Sequence, residues 1–87
     1  MLSGKPIVYT RHAENALRER GLDSSWVAAA VRTPDWVLQD RTTEGAVRHF
    51  KSIVECDGRV LRVACLESAS EIRILTAFFD RKARRPQ

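Results

Sequence analysis

A chain of 87 residues, 44% hydrophobic and 30% charged, is long enough for one domain with a thin core and too short to require a second. Its longest apolar run, residues 26–31, falls far short of the roughly 20 residues a membrane helix needs, which excludes a membrane span of that kind. The net charge of +4 belongs to Arg81, Lys82, Arg84 and Arg85; without them residues 1–80 hold eleven basic and eleven acidic groups, so bulk charge carries no nucleic-acid signal.

The organisation read from this is a domain over residues 1–80 and a basic tail over 81–87. The tail is either a solvated end or a phosphate contact. Twelve of the fifteen basic residues are Arg, whose planar fork suits phosphate. The opening Met-Leu-Ser-Gly-Lys-Pro lacks the apolar stretch of a signal peptide, so a cytoplasmic protein is expected.

Residues 1–6 read as loose. Ile7-Val8-Tyr9 is either a short extended segment or a lid. Thr10 is an N-cap for a helix over residues 11–20, with Ala13, Ala16, Leu17 and Arg20 on one face. Gly21 is placed to end it as the residue just past the C-cap. Asp23 caps a second helix over residues 24–32, where Leu22 can staple against Val27. That helix buries Val27, Ala30 and Val31 and stops at Thr33-Pro34, because a residue before proline avoids helical geometry.

A strand follows over residues 35–41, then a turn over 42–45. The next turn is read from Asp57-Gly58, since Asp-Gly between two alternating apolar runs fits a two-residue type I′ hairpin. That register faces Cys56 with Arg59, Val54 with Leu61, Ser52 with Val63, Phe50 with Cys65 and Arg48 with Glu67, on one mostly apolar face. The other face then carries His49, Lys51 and Arg62 with Ile53, Ala64 and Leu66. A four-residue loop after Leu66 pairs Cys65 with Ile72. It places Ile72, Ile74 and Phe78 on the apolar face, Thr76 on the helix-packed side, and Arg73 and Leu75 beside His49. Trp26 and Trp36 read as core or edge packing, so the open face is expected to lack an aromatic array for stacking bases.

The fold class is α+β: a helical hairpin on one face of a four-stranded antiparallel sheet whose other face is open. In this register Cys56 and Cys65 lie about 20 Å apart, too far for a disulfide, so both read as free thiols. Two Cys and two His without close spacing give no metal-ligand cluster, and no cofactor motif is present.

Three stretches carry a resemblance. Residues 9–22 read YTRHAENALRERGL, the second helix ends in TPDWV, and the last strand reads IRILTAFFDRKAR. Together they resemble the DUF4258 family, whose members show a Thr-x-His-Ala start, an Arg-Gly-Ile/Leu helix end, a proline after the second helix, and a closing Thr-Ala-aromatic-aromatic strand with basic residues after it. The order of elements is similar, more loosely, to the BrnT and RelE ribonuclease toxins. The chain departs from the family at Ala16, where members often carry Arg. The resemblance implies a RelE-like fold and an RNA-cleaving toxin neutralised by an antitoxin protein. RNA would lie across the open sheet face, and its 2′-hydroxyl would act as nucleophile.

On that basis His12, His49 and Arg73 are the candidate catalytic residues, and Arg20, Lys51, Arg62, Arg81 and Lys82 the candidate substrate-binding ones. An imidazole exchanges protons near neutrality, and the positive end of a helix favours the neutral, base form of His12. Its structural alternative is a helix-start histidine bonded to a carbonyl. Arg20 either holds phosphate or bonds carbonyls at its helix end. Arg and Lys would stabilise charge on a pentacoordinate phosphate. The competing readings are a solvated sheet face, a non-catalytic module that binds protein or nucleic acid, and a homodimer through the open face or a sheet edge.

Overall fold

The computed structural model describes residues 4–86. The chain forms β1 (Ile7–Tyr9), α1 (Arg11–Arg20), α2 (Ser24–Arg32), β2 (Trp36–Gln39), β3 (Val47–Ile53), β4 (Arg59–Glu67) and β5 (Ile72–Phe79), with a 3-10 turn at Val54–Cys56. The α+β class holds, but the sheet has five strands in the order β1-β5-β4-β3-β2, and it is mixed. The extra strand is Ile7-Val8-Tyr9, which runs parallel to β5 with Ile7 beside Ile72 and Tyr9 beside Ile74. Lys5 and Pro6 are not loose. The Lys5 ammonium donates to Glu67 at 2.7 Å, and the Ile72 amide donates to the Pro6 carbonyl at 2.9 Å.

The helices end where their caps say they should. The Thr10 hydroxyl accepts from the Ala13 amide at 3.0 Å, and Gly21 sits at φ 64°, a left-handed conformation that glycine adopts without a Cβ penalty. The Asp23 carboxylate accepts from the Ser25 amide at 2.8 Å, and the Thr33 amide closes α2 on the Ala29 carbonyl. α1 starts where β1 stops and continues along β5. The Thr10 amide donates to the Ile74 carbonyl at 3.1 Å, and Arg20 at the far end donates to the Ala77 carbonyl at 3.5 Å. The core lies between the helices and one sheet face, with Ala13, Val27 and Ala30 above Leu61, Val63 and Ile74. Each fully buried Val, Leu or Ile there contributes about 1.5–3 kcal/mol.

The Asp57-Gly58 turn is the main correction. Both residues have positive φ, 57° and 76°, as the dipeptide predicts. They close a five-residue loop, not a two-residue one: the Gly58 amide donates to the Ile53 carbonyl at 3.0 Å, and Ile53 pairs with Arg59. Phe50 therefore faces Arg62 instead of Cys65, a slip of three residues. An odd slip turns every side chain of one strand to the opposite face. Burial explains why this register wins. Ile53 is 3% exposed, packed with Leu61 and Val63, and Val54 is spared to the loop at 86% exposure. Phe50 is freed to stack on Trp36 at 4.8 Å between ring centroids.

The next loop differs by two residues, pairing Leu66 with Arg73. An even offset leaves Ile72 and Ile74 under the helices and Arg73 on the open face. An irregularity between Ala64 and Cys65 then lets β5 gain one residue, so that Ala64 faces Thr76 and Arg62 faces Phe78. Thr76 and Phe78 thereby move to the open face, while Ala77 and Phe79 turn toward the helices. Arg48 pairs with Asp40 at 2.8 Å, not with Glu67.

Candidate functional site

The open face has a different content from the one the sequence predicts. One cross-strand row reads Trp36, Phe50, Arg62, Phe78. An aromatic row therefore does lie on this face. Phe50 is covered, lying within 6° of parallel to Trp36, and Arg62 stands 4.9 Å above the Phe78 ring. The cations of this face are neutralised where they stand. Arg62 donates to Asp80 at 3.2 Å, Arg48 to Asp40 at 2.8 Å and Arg73 to Glu71 at 2.8 Å.

His49 and Lys51 are not on that face. The β3 slip puts them beneath α2, so the constellation of His49, Lys51, Arg62 and Arg73 is not assembled. Burial lowers the pKa of His49, with the Ala30 backbone and the Glu67 carboxylate pulling weakly the other way. Its Nδ1 is buried without a hydrogen-bond partner among the described residues. Lys51 closes the end of α2, donating to the Thr33 carbonyl at 2.7 Å, and lies 4.0 Å from Asp35. Cys65 is enclosed in the core, where burial raises its thiol pKa to about 11. Among the described residues no three His, Cys, Asp or Glu side chains come together as a metal site.

Three cations without ion pairs among the described residues lie around one end of the sheet. Two adjoining depressions of about 430 and 350 Å³ share Arg59 and Phe79 at the end of the sheet where β5 leaves it. Arg20 and Trp26 line the larger, and Arg81 lines the smaller. Four segments meet here: the end of α1, the start of α2, the start of β4 and the residues after β5. The Arg59 guanidinium lies 4.2 Å over the Phe79 ring, which fixes its direction, and Trp26 stands 6.1 Å from Phe79 on a tilted plane. No ion pair engages Arg20, Arg59 or Arg81 among the described residues. Asp80 lines the smaller depression, but its carboxylate is held by Arg62 and by the Lys82 amide at 2.9 Å. Phe78, on the open face, also lines the larger depression and so joins it to that face.

Of the sequence-predicted residues, this end collects Arg20 and Arg81, with Lys82 next in the chain. His12 is exposed at the start of α1; eight residues at 1.5 Å each put it about 12 Å from Arg20 along the helix. Arg59, Phe79 and Trp26 were not singled out from sequence. The signal for Arg59 was its place directly after Gly58, at the mouth of a turn, where an unpaired side chain leaves the sheet.

The family model for DUF4258, a domain of unknown function, matches residues 9–79. No curated protein and no solved structure matches the chain.

Proposed function

The chain belongs to the DUF4258 family, and from that premise we propose that it is an RNA-directed domain of the RelE/BrnT toxin type, which engages RNA at the basic end of its sheet. The observation that carries this reading is the division of its cations. Those on the open face are spent on ion pairs, while Arg20, Arg59 and Arg81 converge from three elements around an aromatic floor. Unpaired guanidiniums in a concave site are suited to phosphate oxygens.

Cleavage in this reading needs no metal. The RNA 2′-hydroxyl attacks the adjacent phosphorus, and the 5′-oxygen leaves with a proton from water. His12 takes the 2′-hydroxyl proton, while Arg20, about 12 Å away along α1, and Arg59 hold a neighbouring phosphate of the same strand. RNA lying along α1 from the depressions to the helix start meets both groups. The open face, neutral and rich in Arg, Trp and Phe, has the composition of a protein interface and serves the antitoxin partner. The protein acts in the cytoplasm, where its RNA and its partner are.

Expression of the wild-type protein is expected to arrest growth, and His12→Ala or Arg20→Ala to relieve the arrest. Purified protein is expected to cut RNA in the presence of a chelator. Folded wild-type protein that neither slows growth nor cuts RNA sinks the catalytic claim. The second reading, a non-catalytic RNA-binding module, is favoured by the distance of about 12 Å along α1 between His12 and Arg20. It predicts retained RNA binding with no cleavage products.

A further inference from the structure

We propose that the paired depressions around Arg59 form a subsite for one unstacked nucleotide of single-stranded RNA. The base lies in the larger depression, against Trp26 and the Arg59–Phe79 stack, and the phosphate is held at Arg59 between Arg20 and Arg81. The assignment of the nucleotide to an RNA strand rests on the RNA reading above; the subsite itself rests on the geometry.

Three features support it. The larger depression, about 430 Å³, lies within the range of small-molecule sites and has room for a base. Its lining mixes kinds of group that a bare anion site would not need: the aromatic rings of Trp26, Phe78 and Phe79 beside the guanidiniums of Arg20 and Arg59. Bases of single-stranded RNA are bound by stacking on aromatic rings and on Arg planes, and every base offers such a face. Finally, Arg59 is already oriented by Phe79 at 4.2 Å, so little side-chain freedom is lost when a ligand is held.

The same geometry selects against duplexes. A paired base sits inside the helix and cannot enter a depression at a sheet end without being pulled from its stack. An acidic peptide would satisfy the arginines but leave the aromatic floor unused. Asp57 also lines the smaller depression; its amide donates to the Val54 carbonyl at 3.1 Å, and no ion pair engages its carboxylate among the described residues. A carboxylate there opposes a phosphate and can accept from a hydroxyl, which a ribose supplies.

The test uses a Trp36→Phe protein, which leaves Trp26 as its single tryptophan. It is titrated with adenosine and uridine 5′-monophosphates, inorganic phosphate, a single-stranded oligoribonucleotide and its duplex. Both monophosphates and the single strand are expected to quench Trp26 emission, phosphate to compete without quenching, and the duplex to do neither. Arg59→Gln is expected to weaken the nucleotide about tenfold, the effect of one charge-assisted contact. Arg20→Gln, an exposed position, gives a second reading if Arg59→Gln does not fold. Single-stranded RNA that binds without a Trp26 response, or nucleotide affinity unchanged in both variants, overturns the subsite and leaves the RNA reading standing. Nucleotides that bind while no RNA does overturn the RNA reading and leave a site for a free nucleotide. Duplex bound as tightly as single strand overturns the proposed selectivity.

Discussion

Replacing Arg59 by alanine separates the unpaired cations from the paired ones. Each phosphate contact to a single strand contributes about −0.7 to the slope of log affinity against log salt. Contacts from Arg20, Arg59 and Arg81 together give a slope of about −2. Between 50 and 200 mM salt that weakens binding roughly twentyfold. Arg59→Ala takes the slope to about −1.4, and the same change in salt then costs roughly sevenfold. Arg73→Ala is the control. Its guanidinium is held by Glu71, and it lies six residues from Phe79 along β5, about 20 Å away. That is beyond the screening length of about 8 Å at physiological salt, so the slope should not move. The assay is fluorescence anisotropy of a labelled single-stranded RNA at four or more salt concentrations. An unchanged slope in Arg59→Ala, or an equal fall in Arg73→Ala, refutes the division of the cations on which the functional reading stands.

Two further substitutions probe the scaffold through pH. Asp40 accepts from Arg48 Nε at 2.8 Å and, through its other oxygen, from the Thr42 hydroxyl and the Thr42 and Thr43 amides, and these bonds hold its pKa far below the usual carboxylate range. Asp40→Asn is expected to cost about 2 kcal/mol at pH 7, since it loses the charge-assisted bonds, and to lower Tm by about 8–16 °C. Because the folded-state pKa is depressed, that stability is present above the unfolded pKa of about 3.9 and is lost as pH falls below it. Thermal melts of the two proteins should therefore converge in acid; a gap that stays constant to low pH contradicts the assignment. His49 carries the same sign at a higher pH, because its buried imidazole resists protonation and its folded-state pKa is also lowered. Below about pH 6.5 the unfolded chain takes up the proton first, so wild-type stability falls with pH and His49→Gln should flatten that limb. RNA affinity in the same variant should be unchanged, and a loss of binding there would return His49 to the site.

The helices were legible because their information is local. Thr10, Gly21, Asp23 and Thr33 fix both helices within a residue or so, each through a bond to a neighbour two to four positions away. β1 was legible only as a possibility, since three residues carry no period and their pairing to β5 spans most of the chain. The two turns show what decides a functional face. Asp57-Gly58 declares positive φ but not the length of the loop that uses it, and a slip of three moved His49 and Lys51 beneath α2 and brought Phe50 out. The loop before β5 was displaced by two, and Arg73 kept its face. Parity, not the size of the error, set which residues could share a site.

Charge pairing is the second quantity a linear reading lacks. Arg62 and Arg73 lie on the face the sequence predicts; Glu71, expected on that same side opposite Leu66, takes up the charge of Arg73, and Asp80, expected only as the residue before the tail, takes up that of Arg62. Asp80 does this while lying between Phe79 and Arg81 in sequence, so one carboxylate quiets the open face and leaves Arg59 and Arg81 unopposed by it. The proposed phosphate site therefore depends on where the acids went. Arg59 is left at a strand start, stacked on Phe79, because its cross-strand partner is the apolar Ile53. A two-residue hairpin would have set Arg59 opposite Cys56 within the sheet; the longer loop instead opens the depression in which a nucleotide can sit.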